Sequence, residues 1–81
     1  MAEQKDTSDL PPDEIYVVKM LRDAGKGSSL RLDPNSRPYL CVGGVVVCTF
    51  DTLFRMLGRD VIRLDPTAPR ADRWELTEEW V

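Results

Sequence analysis

The chain contains one motif twice, as Leu30-Arg31-Leu32-Asp33-Pro34 and as Ile62-Arg63-Leu64-Asp65-Pro66. Lys19-Met20-Leu21 precedes the first copy and Arg55-Met56-Leu57 precedes the second, each at the end of a stretch with helical periodicity. After each Asp-Pro comes a short polar segment and then a second apolar run. Because the context agrees as well as the motif, the sequence indicates one helix–strand–turn–strand unit used twice.

The first helix is predicted to begin at Pro11-Pro12-Asp13-Glu14. Proline suits the first turn of a helix, and acidic residues there complement the positive end of the helix dipole. Ile15, Val18 and Leu21 form an apolar stripe at helical spacing. Gly25 and Gly27 are expected to end this helix.

The second helix has the clearest periodicity of the chain. Thr49 is a suitable N-cap residue, and Gly58 marks the end of the helix. Phe50, Leu53, Phe54 and Leu57 recur at the spacing of a core-facing stripe. We expect the exposed side of this helix to carry Arg55 and Arg59.

The strands follow from alternation of apolar and polar residues and from turn residues between them. Gly43-Gly44 allows a bend or bulge, after which Val45-Val46-Val47 continues extended. The polar segments Asp33-Pro34-Asn35-Ser36 and 65–72 are predicted to be the turns of two hairpins. The predicted hairpin strands are 30–33, 39–42, 61–64 and 73–77.

These elements predict an α+β fold, a small two-layer αββαββ domain built from two helix–hairpin units. We expect a flexible polar tail over 1–10 and a single globular domain over 11–81, with repeat units of about 13–47 and 49–80. Residues 19–42 and 55–77 should superpose. The predicted common core is Leu53, Phe54, Leu57, Ile62, Leu64, Trp74 and Leu76, with Val18 and Leu21 completing the layer.

Composition limits both the core and the location of the protein. The chain has 81 residues, of which 42% are apolar, and its net charge is −3. A domain of this size is marginally stable, and formation of a homodimer would relieve that. The first residues are polar and no secretory signal is evident, while the apolar run from Tyr39 to Phe50 is too short for a membrane span. We therefore expect a cytoplasmic protein with no membrane association.

Catalysis and metal binding are disfavoured by the residue types present. The chain has no histidine, the commonest general base, and Gly43-Gly44 lacks the residues of a phosphate-binding loop. Cys41 and Cys48 are too few for a structural zinc site, and we expect two buried, reduced thiols. If the chain turns at Gly43-Gly44, the two thiols would face each other. We predict no enzymatic activity, no cofactor and no small-molecule substrate.

The segment from Leu53 to Glu79 resembles the C-terminal half of a winged-helix domain. Its residues follow the order of a recognition helix ending at Gly58, a short strand, a wing rich in arginine and proline, and a return strand that ends in Leu76-Thr77-Glu78. The resemblance does not extend to the helix-turn-helix part. It implies a winged-helix-like second half and binding to nucleic acid.

Five arginines are the candidate nucleic-acid contacts. They are Arg55, Arg59, Arg63, Arg70 and Arg73. Helix 50–58 and hairpin 61–77 would present them to phosphates, the dominant source of affinity for nucleic acid. In the alternative interpretation, the same arginines pair with nearby acids such as Asp51, Asp65 and Glu75 on a solvated surface.

The sequence therefore favours a small non-enzymatic binding module that contacts nucleic acid, as an accessory or regulatory protein. The alternative is a protein-interaction module without nucleic-acid binding, such as an adaptor, a dimerising accessory factor or a phage-type inhibitor. Trp80 either packs on its own core or anchors such a partner. The position of charge separates the two hypotheses: five arginines on one face without carboxylates favour nucleic acid, and matched acids favour the interaction module.

Overall fold

The computed structural model describes residues 6–25, 28–32, 35, 39–68 and 70–81. Within these residues the chain forms two α-helices and a five-stranded antiparallel sheet, which confirms the small two-layer α+β fold. The run after Gly43-Gly44 forms a strand of its own, in addition to the two predicted hairpins. The elements are α1 (Pro12–Ala24), β1 (Leu30–Leu32), β2 (Tyr39–Val42), β3 (Val45–Thr49), α2 (Phe50–Gly58), β4 (Ile62–Leu64) and β5 (Arg73–Leu76), preceded by a 3-10 helix at Thr7–Asp9.

The strand order is β3-β2-β1-β5-β4. The predicted hairpins β1–β2 and β4–β5 are both present, and they join side by side because Leu30 on β1 pairs with Trp74 on β5. Asp65 follows the last residue of β4, as the motif predicts. The matching Asp33-Pro34 lies outside the described residues. Whether the two units superpose stays a prediction.

The turn between β2 and β3 depends on its two glycines. Gly43 and Gly44 have φ angles of 57° and 82°, in the left-handed region that other residues rarely adopt. Two such residues in succession suit a tight two-residue hairpin turn whose twist matches that of the strands. The bend expected at this position is therefore a complete reversal, which places β3 beside β2.

The globular part begins earlier than Pro11. Thr7–Asp9 form the 3-10 helix, and the side chain of Asp6 accepts a hydrogen bond of 2.9 Å from the Ser8 amide. Leu10, which follows, is buried in the core. Only residues 1–5 of the predicted tail lie outside the described residues.

The core lies between the two helices and one face of the sheet. The predicted core residues Leu53, Ile62 and Trp74 are buried there, and so are Val18 and Leu21. Further buried side chains come from α1, α2, the strands that the helices cover, and two positions outside these elements, Val61 and Trp80. They are Val17, Leu30, Leu40, Val42, Val47, Cys48, Met56, Val61 and Trp80.

Two predicted core positions are wrong. Phe54 is 64% exposed and Leu64 is 44% exposed. Thr52 is turned toward α1, so the buried residues of α2 are Thr52, Leu53 and Met56. The buried face is therefore rotated by about one residue from the predicted stripe. Phe54 stacks on Phe50 with ring centroids 6.0 Å apart, at the side of the helix.

The other predicted core residues that are not fully buried lie at the margin of the core. Leu64 lies on β4, an edge strand with a neighbour on one side only, so less of its side chain is covered. Leu57 and Leu76 are half-buried and pack against the core from outside it. The predicted core is therefore right for its centre and too wide at its margin.

Candidate interaction surface

Arg55 of α2 and Arg59, the residue after the end of α2, lie on the side that faces α1. The Arg55 guanidinium donates a hydrogen bond to the carboxylate of Asp13 and lies 3.4 Å from Asp51. Nε of Arg59 is 3.2 Å from Oε1 of Glu14. Both arginines thus join α2 to α1. Each of them is matched by an acid, which is the arrangement that favours the interaction module.

Glu14 is a carboxylate with no exposed surface, at the beginning of α1. Besides Arg59, it has Nη1 of Arg55 at 3.9 Å from Oε2. Burying a charged group is costly unless a cation accompanies it. The two arginines supply that cation, so a phosphate that drew them away would leave the carboxylate buried without a partner.

Asp13 is the polar centre of the contact between the helices. It accepts a hydrogen bond of 2.9 Å from Oγ1 of Thr52 and another from Arg55. Burial raises the pKa of Asp13, but these hydrogen bonds and the charge of Arg55 outweigh it, so the pKa lies below its ordinary value. The ionised carboxylate therefore stabilises the packing of α2 on α1.

The remaining predicted arginines belong to the second hairpin and its loop. Nε of Arg63 donates a hydrogen bond of 3.0 Å to Glu75, directly opposite on β5. Arg73 lies 3.9 Å from Asp72. Arg70 is exposed, and within the described part of the chain it has no ion pair. The five arginines therefore do not form one face free of carboxylates.

The structure adds an arginine that the sequence analysis did not select. Arg31 is exposed on the outer face of β1, directly opposite Arg73 on β5. Like charges opposite each other on neighbouring strands are unfavourable. The signal that identifies Arg31 is the repeat itself, because it holds the position in the first RLDP copy that Arg63 holds in the second.

Trp80 packs on its own chain. Its side chain is 5% exposed and belongs to the core, and its carbonyl oxygen accepts a hydrogen bond of 3.0 Å from Nε of Arg22. Its amide donates a hydrogen bond of 2.9 Å to the carbonyl oxygen of Thr77. These contacts support the self-packing alternative, and Trp80 is not available as an exposed anchor.

The edge strand β3 carries two adjacent exposed apolar side chains. Its sequence, Val45-Val46-Val47-Cys48-Thr49, contains no charged residue and no proline. Val45 is 49% exposed and Val46 is 46% exposed, and Tyr39 on the neighbouring strand is exposed as well. Among the described residues, β2 is the strand that pairs with β3, so the other edge of β3 has no strand beside it.

The opposite edge of the sheet has a different character. The strand there, β4, has three residues and carries Arg63 at its centre. Asp60 and Asp65 lie close to its two ends. Short length, charged side chains and β-bulges are means by which proteins protect an edge from pairing with another chain. The edge at β4 is short and charged, whereas β3 is longer and uncharged and has a bulge alone.

Both cysteines are buried and free, as predicted. The chain does turn at Gly43-Gly44, but a bulge in β3 places Cys48 opposite Leu40 and Cys41 opposite Val46, so the thiols are not paired across the strands. Burial raises the pKa of the Cys48 thiol to about 12, with further contributions from Asp13 and Cys41.

The described residues contain no group of three or more histidine, cysteine or acidic residues arranged to hold a metal ion. No helix among them has the length and apolar character needed to cross a membrane.

Comparison with family models, curated proteins and solved structures finds no match to this chain. The winged-helix resemblance of the second half therefore stays a prediction.

Proposed function

We propose that this chain is a small non-enzymatic protein-interaction module that binds another polypeptide along the open edge of β3. The observation that carries the proposal is the contrast between the two sheet edges. One edge is longer, uncharged and rich in half-exposed valine, and the other is short and charged.

An edge strand presents backbone N–H and C=O groups that a further strand can satisfy. Adding a strand to a sheet edge is a general mode of peptide recognition, in which main-chain hydrogen bonds give affinity and side-chain contacts give selectivity. Val45 and Val46 supply the apolar contacts here, on opposite faces of the sheet. Tyr39 extends the apolar surface on the outer face, because it lies on β2 beside β3.

The charges support this interpretation over nucleic-acid binding. Arg55 and Arg59 neutralise acids of α1, and Arg63 is hydrogen-bonded to Glu75. A phosphate would compete with these carboxylates for the same guanidinium groups. The net charge of −3 adds a long-range repulsion from nucleic acid.

Photo-crosslinking in the producing cells tests the proposal. A photoreactive amino acid replaces Val46 at the β3 edge or, as a matched control, Leu64 at the β4 edge, since both side chains are exposed to a similar degree. We expect protein adducts from position 46 and few or none from position 64. Absence of adducts at position 46, or equal adducts at both positions, would contradict the proposal.

Nucleic-acid binding remains the second candidate, favoured by Arg31 opposite Arg73 and by exposed Arg70 on the adjoining loop. A salt-dependent titration against mixed DNA and RNA separates the candidates. The interaction module predicts a flat titration even at low salt. Binding that weakens with salt, with a smaller slope in Arg31→Ala, would support the second candidate.

The proposal places the module in the cytoplasm. The supporting observation is that Cys41 and Cys48 are both free thiols, as in a reducing compartment.

A further inference from the structure

The exposed valines of β3 lie on opposite faces of the sheet. Val46 is opposite Cys41, which pairs with Arg31, so these side chains share the outer face. Val45 is opposite the buried Val42 and therefore points to the face that the helices cover. Val47, the extra residue of the bulge, belongs to the core on that same face.

This alternation allows a register in which β3 pairs with itself and both exposed valines are covered. Residues directly opposite each other in an antiparallel pair point to the same face of the sheet. A two-fold axis at Val46 sets Val46 opposite Val46 of the partner on the outer face. It also sets Val45 opposite the partner's Val47 on the helix face. Both exposed valines then contact a second apolar side chain.

We propose that the partner at the β3 edge is a second copy of this chain, paired antiparallel about Val46 to give one sheet continuous across two molecules. This inference rests on the proposed function, because it names the occupant of that surface. The two-fold arrangement is closed, so it produces a dimer and not a longer assembly.

The charge distribution favours β3 as the place where two copies meet. Each copy has a net charge of −3, so two copies repel each other over long range. The strand 45–49 has no charge, and contact along it brings valines together. The nearest charge after β3 is Asp51, and in this register it lies beyond the paired valines. Self-pairing at this edge therefore brings no like charges of the strand into direct contact.

The size of the domain gives a further reason for pairing. A chain of 81 residues buries a limited part of its apolar surface, and a continuous sheet adds to that burial while it covers the open edge.

Sedimentation velocity of the full chain tests the inference, with charges placed at the proposed axis. We expect the wild-type chain to dimerise at concentrations of about 100 µM and above. Val46→Lys and Val46→Glu should each weaken the dimer at least about tenfold, because the axis places the new charge opposite itself. An equimolar mixture of the two variants should recover association, because lysine then faces glutamate.

Leu64→Lys is the matched control, since it places the same charge on the exposed apolar position of the β4 edge. It should leave the dimer unchanged. Raising the salt to about 0.5 M should not weaken the wild-type dimer, because its contact is uncharged and the repulsion between acidic copies is screened.

A wild-type chain that stays monomeric to about 1 mM would overturn the inference. So would a dimer that survives both Val46 variants, or a mixture of the variants that fails to associate. These outcomes leave the proposed function testable by itself, because adducts from position 46 show by mass whether the captured protein is a second copy or a different chain.

Discussion

Glu14 occupies an inward-facing position of α1, at the helical spacing of the buried Val17 and Leu21. Its carboxylate is paired with Arg59 and lies near Arg55, across the contact between the helices. The arginines that the sequence assigns to phosphate are therefore required by a buried acid of the same chain. Because of this pairing, two predicted site residues contribute to the stability of the fold.

Removing Arg59 should destabilise the protein through Glu14. We expect Arg59→Ala to lower the free energy of unfolding by ~1–3 kcal/mol, discounted because the arginine is half exposed. The same change in a Glu14→Met background should cost little, because no buried charge is left without a partner. Urea unfolding of the four proteins in this cycle gives the coupling.

Arg70→Ala is the control for that cycle, since Arg70 is exposed and has no ion pair in the described part of the chain. Additive effects of Arg59→Ala and Glu14→Met would contradict the pairing.

The sequence predicts acids in the first turn of α1 but does not show which of them is buried. Patterns of apolar residues treat every charged position as exposed. Glu14 departs from that pattern because its partners come from α2, which is distant in the sequence. The same reason explains why Arg55 and Arg59 seem free when the second helix is considered alone.

Cys48 should be unreactive in the folded protein. Burial raises its pKa to about 12, so at about pH 8 only on the order of one molecule in ten thousand carries the reactive thiolate. We expect the Cys41→Ser variant, in which Cys48 is the single thiol, to resist a thiol reagent until denaturant is added. Modification in the native state at the rate of a free thiol would contradict this burial.

At the scale of elements, α2 shows how far periodicity predicts structure. The periodicity of the sequence predicts the bounds of the helix correctly, from Phe50 to Gly58. It misjudges the direction of the buried face, because Thr52 is turned inward by its hydrogen bond to Asp13 of α1. Polar contacts between elements are invisible to a pattern that scores apolar residues alone.

Substitutions on α2 measure this orientation. Leu53→Ala should cost ~2–5 kcal/mol, as expected for a large-to-small change at a fully buried site. Phe54→Ala should cost less than about 1 kcal/mol, because the ring is largely exposed. Equal losses at both positions in chemical denaturation would show that Phe54 faces the core after all.

The contact between α1 and α2 should weaken in acid. The pKa of Asp13 lies below its ordinary value of 3.8 in the folded state, so the ionised form is favoured by folding. The stability that it contributes is fully present above pH 3.8 and is lost as the pH falls through the lower folded value.

Thermal unfolding of wild type and Asp13→Asn at a series of pH values tests this effect. The wild type should lose more of its stability than the variant as the pH falls below about 4. Curves with the same pH dependence would contradict a role for the Asp13 carboxylate. The comparison isolates Asp13 because Asp65, whose pKa is lowered by hydrogen bonds from Thr67, is common to both proteins.

At the scale of the whole molecule, the repeat predicts the two hairpins, and the order of strands follows from neither copy alone. The pairing of β1 with β5 places the two units side by side and leaves β3 and β4 at the edges. The sequence shows extended valines after Gly43-Gly44 but not that they form an open edge. That fact depends on which strands meet, which is a property of the complete sheet.

Amide hydrogen exchange of the wild-type chain at low and high protein concentration tests the central claim most directly, because it needs no substitution. A second copy of this chain is expected to add to the edge of β3. We predict that exchange of amides in 45–49 slows on going from about 1 µM to about 1 mM, while amides of 62–64 at the other edge do not change. Slowing confined to β4, or no concentration dependence at either edge, would contradict the pairing of β3 with a second copy.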